Sequence, residues 1–404
     1  MAKCIVEINS STVGSTGRIM FMVAETARKY GFTVYTCSAV HGNEKKVESK
    51  NHIYIGSKID KKIHLLLAKK TGYNGCFSHI ATARFLKKLD KIQPSLIHFH
   101  NLHNCYINLP MLFGYVKKKN IPVVWTLHDC WAYTGHCPYY DFVHCNKWMT
   151  GCYDCPQTVK YPYSDVDRSK EMFKKKKRWF TGANITVVTP SEWLSNEVKE
   201  SFLAEYPVKV INNGIDLNIF RPIQSDFREK NQIENKFMIL GVASSWTPRK
   251  GLDVFVKLAK DLPEEYQIVI VGIGEKEKVN LPKKVITIVR TNNQKELAEI
   301  YSAADVFVNP TREENFPTTN IEALACGTGV ITYRTGGSPE IINQETGIVV
   351  EKDNYDELKK TIASLSPSTF DEKKCRARAM RYEKVAKYEE YISLFNDILR
   401  EAYK

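Results

Sequence analysis

The alternation of short apolar runs with helical patterns constrains the fold of this chain more than any other feature. In the N-terminal half, four runs have the composition of buried strands: Cys4–Asn9, Thr33–Ala39, Leu96–His100 and Val123–Leu127. A helical pattern from Arg18 to Tyr30 follows the first run, and another at Leu109–Lys119 precedes the last. Strands that alternate with helices predict a doubly wound parallel sheet. Such a sheet binds ligands beyond the carboxyl ends of its strands.

A second series of the same kind follows a polar, aperiodic stretch at Arg221–Asn235. Its predicted elements are strands Phe237–Val242, Gln267–Val271, Val285–Ile288, Asp305–Asn309 and Val330–Tyr333, with helices Leu252–Lys260 and Lys295–Ala303. A chain of 404 residues fits two domains better than one. We place the crossing at residues 204–213, which gives domains at 1–206 and 207–383 and a helical tail at 384–404.

Composition indicates a globular protein that stays in the cytoplasm. The chain is 43% hydrophobic and 11% aromatic. The apolar run after Met1 is too short for a signal peptide and contains Glu7, and no segment is long and apolar enough to span a bilayer. Eleven cysteines in a cytoplasmic protein argue against a disulfide framework.

The net charge of +13 predicts an anionic partner. Lysines and arginines cluster at Lys117–Lys119, at Lys174–Arg178, and at Lys61-Lys62 with Lys69-Lys70. A single cluster of this kind is usually a solvated helix face. Three such clusters in the N-terminal half of the chain favour peripheral contact with anionic lipid headgroups at the inner face of the cell membrane. Nucleic-acid motifs are missing from the sequence, so we expect no nucleic-acid partner.

Two carboxylates stand near the end of the second series. Glu314 follows the strand Asp305–Asn309, and Glu322, with seven residues between the two, lies on a short helical pattern that stops at Gly327. Helix N-termini attract anions, so a phosphate could bind there beside carboxylates that hold hydroxyls, as in a nucleotide-sugar. A structural alternative for Glu322 is a capping box with Thr319.

The pair Glu314 and Glu322 resembles the E-x7-E motif of retaining GT-B glycosyltransferases of family 4, and the resemblance covers nearly the whole chain. It implies two Rossmann-like domains that face a central cleft, an N-terminal one for the acceptor and a C-terminal one for the donor. The last helix, Lys384–Lys404, would cross back to the first domain. The resemblance is to the bacterial surface-polysaccharide type, which implies a lipid-linked glycan acceptor.

The same resemblance assigns residues of the first domain. A loop of the family that approaches the donor phosphates and the acceptor matches Gly14 and Gly17. His128, after the strand Val123–Leu127, matches a histidine that hydrogen-bonds the donor sugar. A buried structural histidine is the alternative, and three neighbours compete for the role: His98, His100 and His103.

In the second domain the resemblance places two cations at the donor diphosphate. Lys250 matches the family's lysine. Where the family has an arginine this chain has Ser244, so Arg249 is expected to substitute for it. The alternative for Arg249 and Lys250 is a solvated turn. The two cations would take the place of a catalytic metal.

Other donor contacts come from backbone and carboxylates. The glycines Gly272 and Gly274 would admit the nucleotide base or ribose, although the third glycine of a dinucleotide fingerprint is missing. Glu314 would hold the sugar hydroxyls and Glu322 the ribose, beside a helix start formed by Asn315, Phe316, Pro317 and Thr318. Gly329 departs from the family, which usually has proline there, and predicts a softer turn.

An insert at about 130–157 is rich in tryptophan and cysteine. Its thiols Cys137, Cys145, Cys152 and Cys155 are separated by seven, six and two residues. Four thiols that end in Cys-x-x-Cys are compatible with a structural zinc site. Free buried thiols or one oxidised pair are the alternatives.

Two other functions compete with the transferase. A sugar-nucleotide epimerase also uses two Rossmann-like domains, but it would convert the donor without an acceptor. A non-catalytic zinc-containing protein would bind anionic membranes or nucleic acid in a salt-sensitive way and would ignore nucleotide-sugars.

Overall fold

The computed structural model describes residues 3–40, 47–274 and 281–402. These residues form two compact units. The first contains the chain up to Ile211 and returns to include the residues from Lys387 onward, and the second is Asn212–Ala386. The division falls inside the predicted crossing at residues 204–213.

The described part of the first unit is built on a parallel sheet. Its strands are β1 (Cys4–Asn9), β2 (Thr33–Ala39), β3 (His52–Ile55), β4 (Leu96–Phe99), β5 (Val123–Thr126), β6 (Ile185–Thr189) and β7 (Val208–Val210). They lie in the order β3-β2-β1-β4-β5-β6-β7, and all pairs are parallel. Since β7 pairs with β6, the sheet extends past the predicted boundary at residue 206.

Helices cover both faces of this sheet, which explains why β1, β4 and β5 are buried on both sides. They are α1 (Gly14–Lys29), α2 (Lys58–Thr71), α3 (His79–Ile92), α4 (Leu109–Lys119), α5 (Ser169–Phe180) and α6 (Glu192–Lys199). The helix α1 begins four residues before the predicted start at Arg18, so Gly14 and Gly17 lie in its first turn.

The second unit repeats the plan. Its described strands are β8 (Phe237–Val242), β9 (Tyr266–Val271), β10 (Ile286–Ile288), β11 (Val306–Asn309), β12 (Gly329–Tyr333) and β13 (Gly347–Val350), in the parallel order β10-β9-β8-β11-β12-β13. Its described helices are α7 (Phe227–Lys230), α8 (Leu252–Asp261), α9 (Gln294–Ala303), α10 (Thr318–Ala325), α11 (Ser338–Ile341), α12 (Tyr355–Ala363) and α13 (Glu372–Ala379).

In both sheets the strand order reverses once, between β1 and β4 in the first unit and between β8 and β11 in the second. In an open parallel sheet the crevice at such a reversal is where ligands bind. The carboxyl ends of these four strands are therefore the places to look for a site.

The final helix, α14 (Lys384–Ala402), supplies part of the first unit's core. Its buried face carries Tyr388, Tyr391, Ile392, Phe395 and Leu399, which pack with residues of β1, β5 and β6 such as Ile5, Val124 and Val188. The Tyr391 hydroxyl also lies 3.2 Å from Thr126 Oγ1 at the end of β5. The chain thus returns to its first unit, as the resemblance implied.

Two expectations about individual residues need correction. The cluster Lys174–Arg178 is not a uniformly exposed basic surface, because Lys176 is fully buried on the face of α5 that also carries Met172 and Phe180. Gly329 is not a soft turn but the first residue of β12, where a Cβ atom would lie 2.0 Å from the Phe370 ring. A side chain at that position would collide with the half-buried ring of Phe370.

Candidate functional site

In the second unit, the strand-order reversal brings a cation and a carboxylate together. Beyond β8 the chain makes a 3₁₀ turn, Pro248–Lys250, and beyond β11 it carries Glu314. The Lys250 Nζ atom lies 2.6 Å from Glu314 Oε2. Their side chains are only 23% and 15% exposed. Residues 64 positions apart in the sequence are thus joined at the carboxyl edge of the sheet.

The surroundings of Glu314 favour its ionised form. Burial alone would raise the pKa of this carboxyl, but the Lys250 ammonium outweighs it, and the pKa is lowered from its ordinary value. The backbone N–H of Asn315 also donates to Glu314 Oε1 at 3.0 Å. Glu314 is therefore an ionised hydrogen-bond acceptor, suited to sugar hydroxyls, and Lys250 is a cation of low exposure, suited to a phosphate.

Arg249 has a different position from Lys250. Its guanidinium donates to the Glu313 carbonyl at 2.9 Å, and its own carbonyl accepts from the Arg312 N–H at 2.8 Å. Arg312 is in turn held by Asp253 at 2.7 Å and Asp353 at 2.6 Å. These bonds tie the loop after β8 to the loop after β11, so that Arg249 fixes the spacing of Lys250 and Glu314.

The start of α10 settles the alternative for Glu322. The helix begins at Thr318 with Pro317 at the N-cap, and no side chain caps it. Thr319 is therefore inside the first turn, and the capping-box interpretation is wrong. The Glu322 carboxylate instead accepts a hydrogen bond from the buried Tyr301 hydroxyl at 3.3 Å. It remains a candidate for ribose binding.

The remaining donor candidates surround this helix start. The Asn315 carbonyl accepts from the Gly337 N–H at 2.8 Å, and the buried Phe316 ring packs 5.7 Å from Tyr382. Gly272 has a positive φ of 85°, and a Cβ there would lie 1.6 Å from the Ala243 carbonyl oxygen. The close approach of two backbones thus requires this glycine, whatever else it does. Gly274 is the last residue described before the gap at 275–280.

In the first unit, histidines lie at the strand-order reversal, where the second unit has the ion pair of Lys250 and Glu314. Glu7 on β1 is buried, and its Oε2 lies 2.9 Å from His100 Nε2. His100 Nδ1 lies 3.0 Å from His128 Nε2, and the two rings stack at 5.3 Å. With Glu7 ionised, His100 donates from Nε2 and accepts at Nδ1, which places a proton on His128 Nε2. We call Glu7, His100 and His128 the histidine relay.

Burial keeps the two imidazoles of this relay uncharged. It lowers the pKa of His128 to about 4 and that of His100 to about 3, and it raises the pKa of Glu7. Neutral imidazoles can donate at one nitrogen and accept at the other, which suits them to hydroxyl recognition.

The three competitors of His128 have other partners. His98 is buried beside Glu7 and contacts Thr126 Oγ1 at 2.8 Å. His100 is the middle member of the relay. His103 pairs with Asp129 Oδ2 at 3.0 Å and with the Tyr161 hydroxyl at 2.7 Å. Burial would raise the pKa of Asp129, but His103 outweighs it and the pKa is lowered.

Sequence reasoning missed Glu7 and the pairing of His103 with Asp129. One signal could have found the first of these residues. Glu7 stands in the middle of an apolar strand, and a carboxylate at such a position must have a buried partner.

Gly14 and Gly17, the two glycines of the first loop, are required for different structural reasons. Gly14 has a φ of 76° with open space where its Cβ would be. A Cβ on Gly17 would lie 2.6 Å from the Thr12 carbonyl carbon, so this glycine lets the loop lie against α1. Open space at Gly14 leaves room for a ligand to approach the helix start.

The four thiols of the insert surround one cavity of about 10 Å³, the volume of a single water or ion. The Cys137 and Cys155 thiols are hydrogen-bonded to each other, and this contact lowers the pKa of Cys155. The Gly135 N–H donates to Cys152 Sγ at 3.1 Å. No three of the four sulfurs lie within 4.8 Å of one another in the described structure, so a zinc ion would have to draw them closer.

Among the described residues, one group does bring three ligand atoms within 4.8 Å, namely Glu7, His98 and His100. Its members lie on adjacent strands and share Glu7 Oε2 at 2.9 Å from each histidine. The second ring nitrogen of each histidine has a partner of its own. His100 Nδ1 contacts His128, and His98 Nε2 contacts Thr126.

Comparison with known proteins agrees with this geometry. The family model Glycosyltransferase Family 4 matches residues 17–219, and the model Glycosyl transferases group 1 matches residues 223–382. The chain belongs to glycosyltransferase family 4 and is a glycosyltransferase. A relative is the putative colanic acid biosynthesis glycosyl transferase WcaC of Escherichia coli, which is 26% identical over 328 residues, covering 76% of this chain and 77% of that protein.

Solved structures show the same GT-B fold of two Rossmann-like domains. Sucrose-phosphate synthase from Thermosynechococcus elongatus superimposes with a TM-score of 0.72 at 18% identity, covering 99% of this chain and 100% of that one. HepE of Anabaena, solved in complex with UDP-glucose, gives a TM-score of 0.67 at 15% identity over 98% and 99% of the two chains.

Proposed function

We propose that this protein is a retaining glycosyltransferase that moves a sugar from a nucleoside diphosphate sugar to a hydroxyl of a lipid-linked glycan. The glycan would be an intermediate of capsular, exo- or lipopolysaccharide assembly at the inner face of the cell membrane. Relatedness to WcaC, whose name places it in colanic acid biosynthesis, supports the polysaccharide class. The UDP-glucose complex of HepE supports the donor class.

The observation that carries the proposal is the Lys250–Glu314 pair at the strand-order reversal of the second unit. A free diphosphate carries negative charge that must be compensated in a site of low exposure. Lys250 can turn from Glu314 to the diphosphate, and Glu314 can then accept hydrogen bonds from the sugar. The exchange starts from an ionised Glu314, whose pKa the neighbouring Lys250 lowers against the effect of burial.

In the proposed reaction, the bond between the sugar C1 and the diphosphate oxygen breaks while the acceptor oxygen bonds to C1 from the same face. The acceptor proton passes to an oxygen of the departing diphosphate. Lys250 stabilises the charge that develops on this leaving group, aided by the N–H groups at the start of α10. Arg249 holds the loop that carries Lys250. This scheme uses Lys250 and the backbone N–H groups of α10 in place of a metal.

Binding of the nucleoside and the sugar is assigned to other residues of the same regions. Glu322, oriented by Tyr301, is proposed to hold the ribose hydroxyls. In the first unit, His128 is proposed to hydrogen-bond the sugar, with its tautomer fixed through His100 and Glu7.

We also propose that the insert binds one structural zinc ion through Cys137, Cys145, Cys152 and Cys155. A cavity of ionic size lined by all four thiols supports it. So does the buried Lys176, whose Nζ donates to the Trp131 and Thr134 carbonyls; burial lowers its pKa to about 7, and the nearby Cys152 and Cys137 act against that shift. A zinc ion with four thiolates carries net negative charge and would balance this lysine.

Metal analysis tests the zinc site. The purified protein is expected to contain about one equivalent of zinc, and Cys152→Ser or Cys155→Ser should lose it. Cys326→Ser, at a buried thiol of the second unit, is the matched control and should change nothing. A wild-type protein purified without chelators that contains no zinc contradicts the proposal.

Thermal unfolding with UDP, GDP, ADP and their sugar conjugates tests the donor site. A ligand at a hundred times its dissociation constant should stabilise the protein by about 2.7 kcal/mol. Lys250→Ala should abolish the shift, whereas Lys374→Ala should retain it, because Lys374 pairs with Glu345 at the same 2.6 Å but on the exposed surface. Absence of any shift would favour a non-catalytic binding protein, and sugar conversion without acceptor would favour an epimerase.

A further inference from the structure

The helix α2 exposes the residue types that other helices bury. Only His64 and Ala68 of its fourteen residues are buried. Its large aliphatic side chains face outward, with 69% of Ile59, 53% of Ile63, 52% of Leu65, 58% of Leu66 and 38% of Leu67 exposed. Contiguous exposed apolar groups of this kind mark an interaction surface and are not typical of a solvated helix.

The exposed residues are arranged in two neighbouring rows. Ile59, Ile63 and Leu66 follow each other at i, i+4 and i+7, so they form one stripe along the helix, with Leu67 at its edge. We call these four residues the α2 stripe. Lys58, Lys62 and Lys69, at i, i+4 and i+11, form a parallel row beside it, and all three are exposed.

The helix is fixed with the stripe outward. At its N-terminus Ser57 and Asp60 form a capping box, with the Ser57 N–H donating to Asp60 at 2.8 Å. On its inner face, His64 Nδ1 lies 2.8 Å from Ser78 Oγ. At its C-terminus Lys70 pairs with Asp165 at 2.7 Å. The stripe therefore cannot turn into the core without the loss of all three attachments.

We propose that the α2 stripe inserts into the surface of an anionic phospholipid bilayer, with the lysine row on the lipid phosphates. A helix with aliphatic residues beside a row of lysines is the arrangement that lies in the plane of a membrane interface. Fourteen residues are too few to cross the hydrocarbon core, and no described helix is long and apolar enough to do so. The inference rests on the proposed function, because a lipid-linked acceptor is presented at such a surface.

Charge argues for a bilayer and against a second copy of the chain. A symmetric dimer through α2 would set the same surface of each protomer against itself. The row of Lys58, Lys62 and Lys69 would then face an identical row, with like charges in a poorly solvated contact. An anionic bilayer offers apolar depth for the stripe and negative charge for the lysines together.

Vesicle co-sedimentation tests the proposal without any need for activity. The wild type should bind vesicles of equal parts phosphatidylglycerol and phosphatidylcholine more tightly than pure phosphatidylcholine. Ile63→Gln with Leu66→Gln should lower the affinity for the anionic vesicles by at least about tenfold, since two large aliphatic side chains leave the lipid. Lys58→Ala with Lys62→Ala should weaken binding and reduce its salt dependence.

The matched control places the same polar change elsewhere. Met380 and Val385 are 62% and 48% exposed, and Met380→Gln with Val385→Gln should bind vesicles as the wild type does. Hydrogen exchange should slow in residues 58–71 on vesicle binding and stay unchanged in residues 109–119. Each variant is also checked for its thermal shift with the donor nucleotide, which reports folding and the proposed donor site independently of lipid.

Three outcomes overturn the inference. Wild-type protein that ignores anionic vesicles while it still binds the nucleotide removes the membrane role and leaves the transferase intact. Unchanged vesicle binding by Ile63→Gln with Leu66→Gln moves the contact to another surface. Sedimentation of the wild type as a dimer that these two substitutions dissociate shows that the α2 stripe joins two copies of the chain.

Discussion

The two units share one topology and differ in the chemistry at the same position. Each has a parallel sheet whose strand order reverses once, and each carries polar groups at that reversal. In the first unit the groups are the buried Glu7 and His100 and the half-buried His128, whose two imidazoles are neutral. In the second they are Lys250 and Glu314, both ionised. All ten histidines of the chain precede residue 145, and none lies in the second unit.

In both units the topology of the sheet positions the candidate site, and a few side chains set the chemistry of that site. Neutral imidazoles exchange hydrogen bonds with hydroxyls and do not oppose a charge. In the proposed function, a lysine and a carboxylate of low exposure bind a diphosphate and its sugar. One fold, used twice in one chain, would then supply two kinds of recognition.

On acidification, we expect the first unit to unfold at a higher pH than the second. Burial lowers the pKa of His64 and His128 to about 4 and of His98 and His100 to about 3, from 6.5. The folded unit therefore binds fewer protons than the unfolded chain below pH 6.5, and its stability falls as the pH falls through that window. From pH 7 to pH 5 each of these histidines should lower the stability of the unit by roughly 2 kcal/mol, and the raised pKa of Glu7 offsets part of that loss.

Hydrogen exchange resolved by peptide measures this effect in each unit. Peptides from β1 and β4 should lose protection between pH 6.5 and pH 5, and peptides from β8 and β11 should not. In the second unit the lowered pKa of Glu314 keeps its stabilising charge above 4.5, and this contribution is lost only as the pH falls below that value. Loss of protection at one common pH would contradict the assignment of neutral histidines.

The second-largest effect is expected when either Lys250 or Glu314 is replaced. Glu314→Gln or Lys250→Ala is expected to lower kcat/KM for the donor by about a hundred- to a thousandfold, because each removes a group that acts on the transition state. The double variant should be no worse than the more damaging single one, since the two act as a unit. Steady-state kinetics measures this, with the exposed pair of Glu345 and Lys374 as control. Full activity in Glu314→Gln would falsify the proposed role.

Interruption of the histidine relay should have a smaller effect. His100→Gln or Glu7→Gln is expected to lower kcat about thirtyfold, with KM for the donor nearly unchanged, because His128 loses its fixed tautomer but keeps its place. His98→Gln is the matched control, since His98 contacts Glu7 and Thr126 but not His128 in the contacts described above. A loss of the same size in His98→Gln would show that packing matters and the relay does not.

The smallest expected effect concerns the ribose. Glu322→Gln should weaken nucleoside diphosphate binding about fivefold, as the charge on a hydrogen-bond acceptor is lost. Stability should change by less than about 0.5 kcal/mol, because α10 begins at Thr318 and Glu322 does not cap it. Calorimetric titration with the nucleotide and urea unfolding measure the two quantities. Asp371→Asn, at the N-cap of α13, is the control in which a capping acid is changed.

Much of the fold could be predicted because its apolar runs are sharply bounded. The strands β1, β2 and β8 and the helix α4 begin and end where the sequence predicted. Their interiors are uniformly apolar or periodic, and turn residues flank them. The helix α2 was not predicted, because its aliphatic residues face outward and a histidine faces inward. A periodicity argument that assumes burial of aliphatic residues cannot assign such a helix.

The candidate site was predictable residue by residue but not pair by pair. Lys250 and Glu314 each follow a strand, and family resemblance named both. Their contact depends on β8 lying next to β11, which strand order decides and local sequence does not. The burial of Lys176 is a similar case, because a run of five cations from Lys174 to Arg178 gives no indication that one of them packs inward.

The return of α14 to the first unit has a consequence for biosynthesis. Tyr391, Phe395 and Leu399 fill the core under β1 and β5, yet they are translated after the whole of the second unit. The first unit therefore lacks part of its interior until the second unit has been synthesised. The second unit, made of one continuous segment, is complete earlier. The half that is synthesised first is the half that finishes folding last.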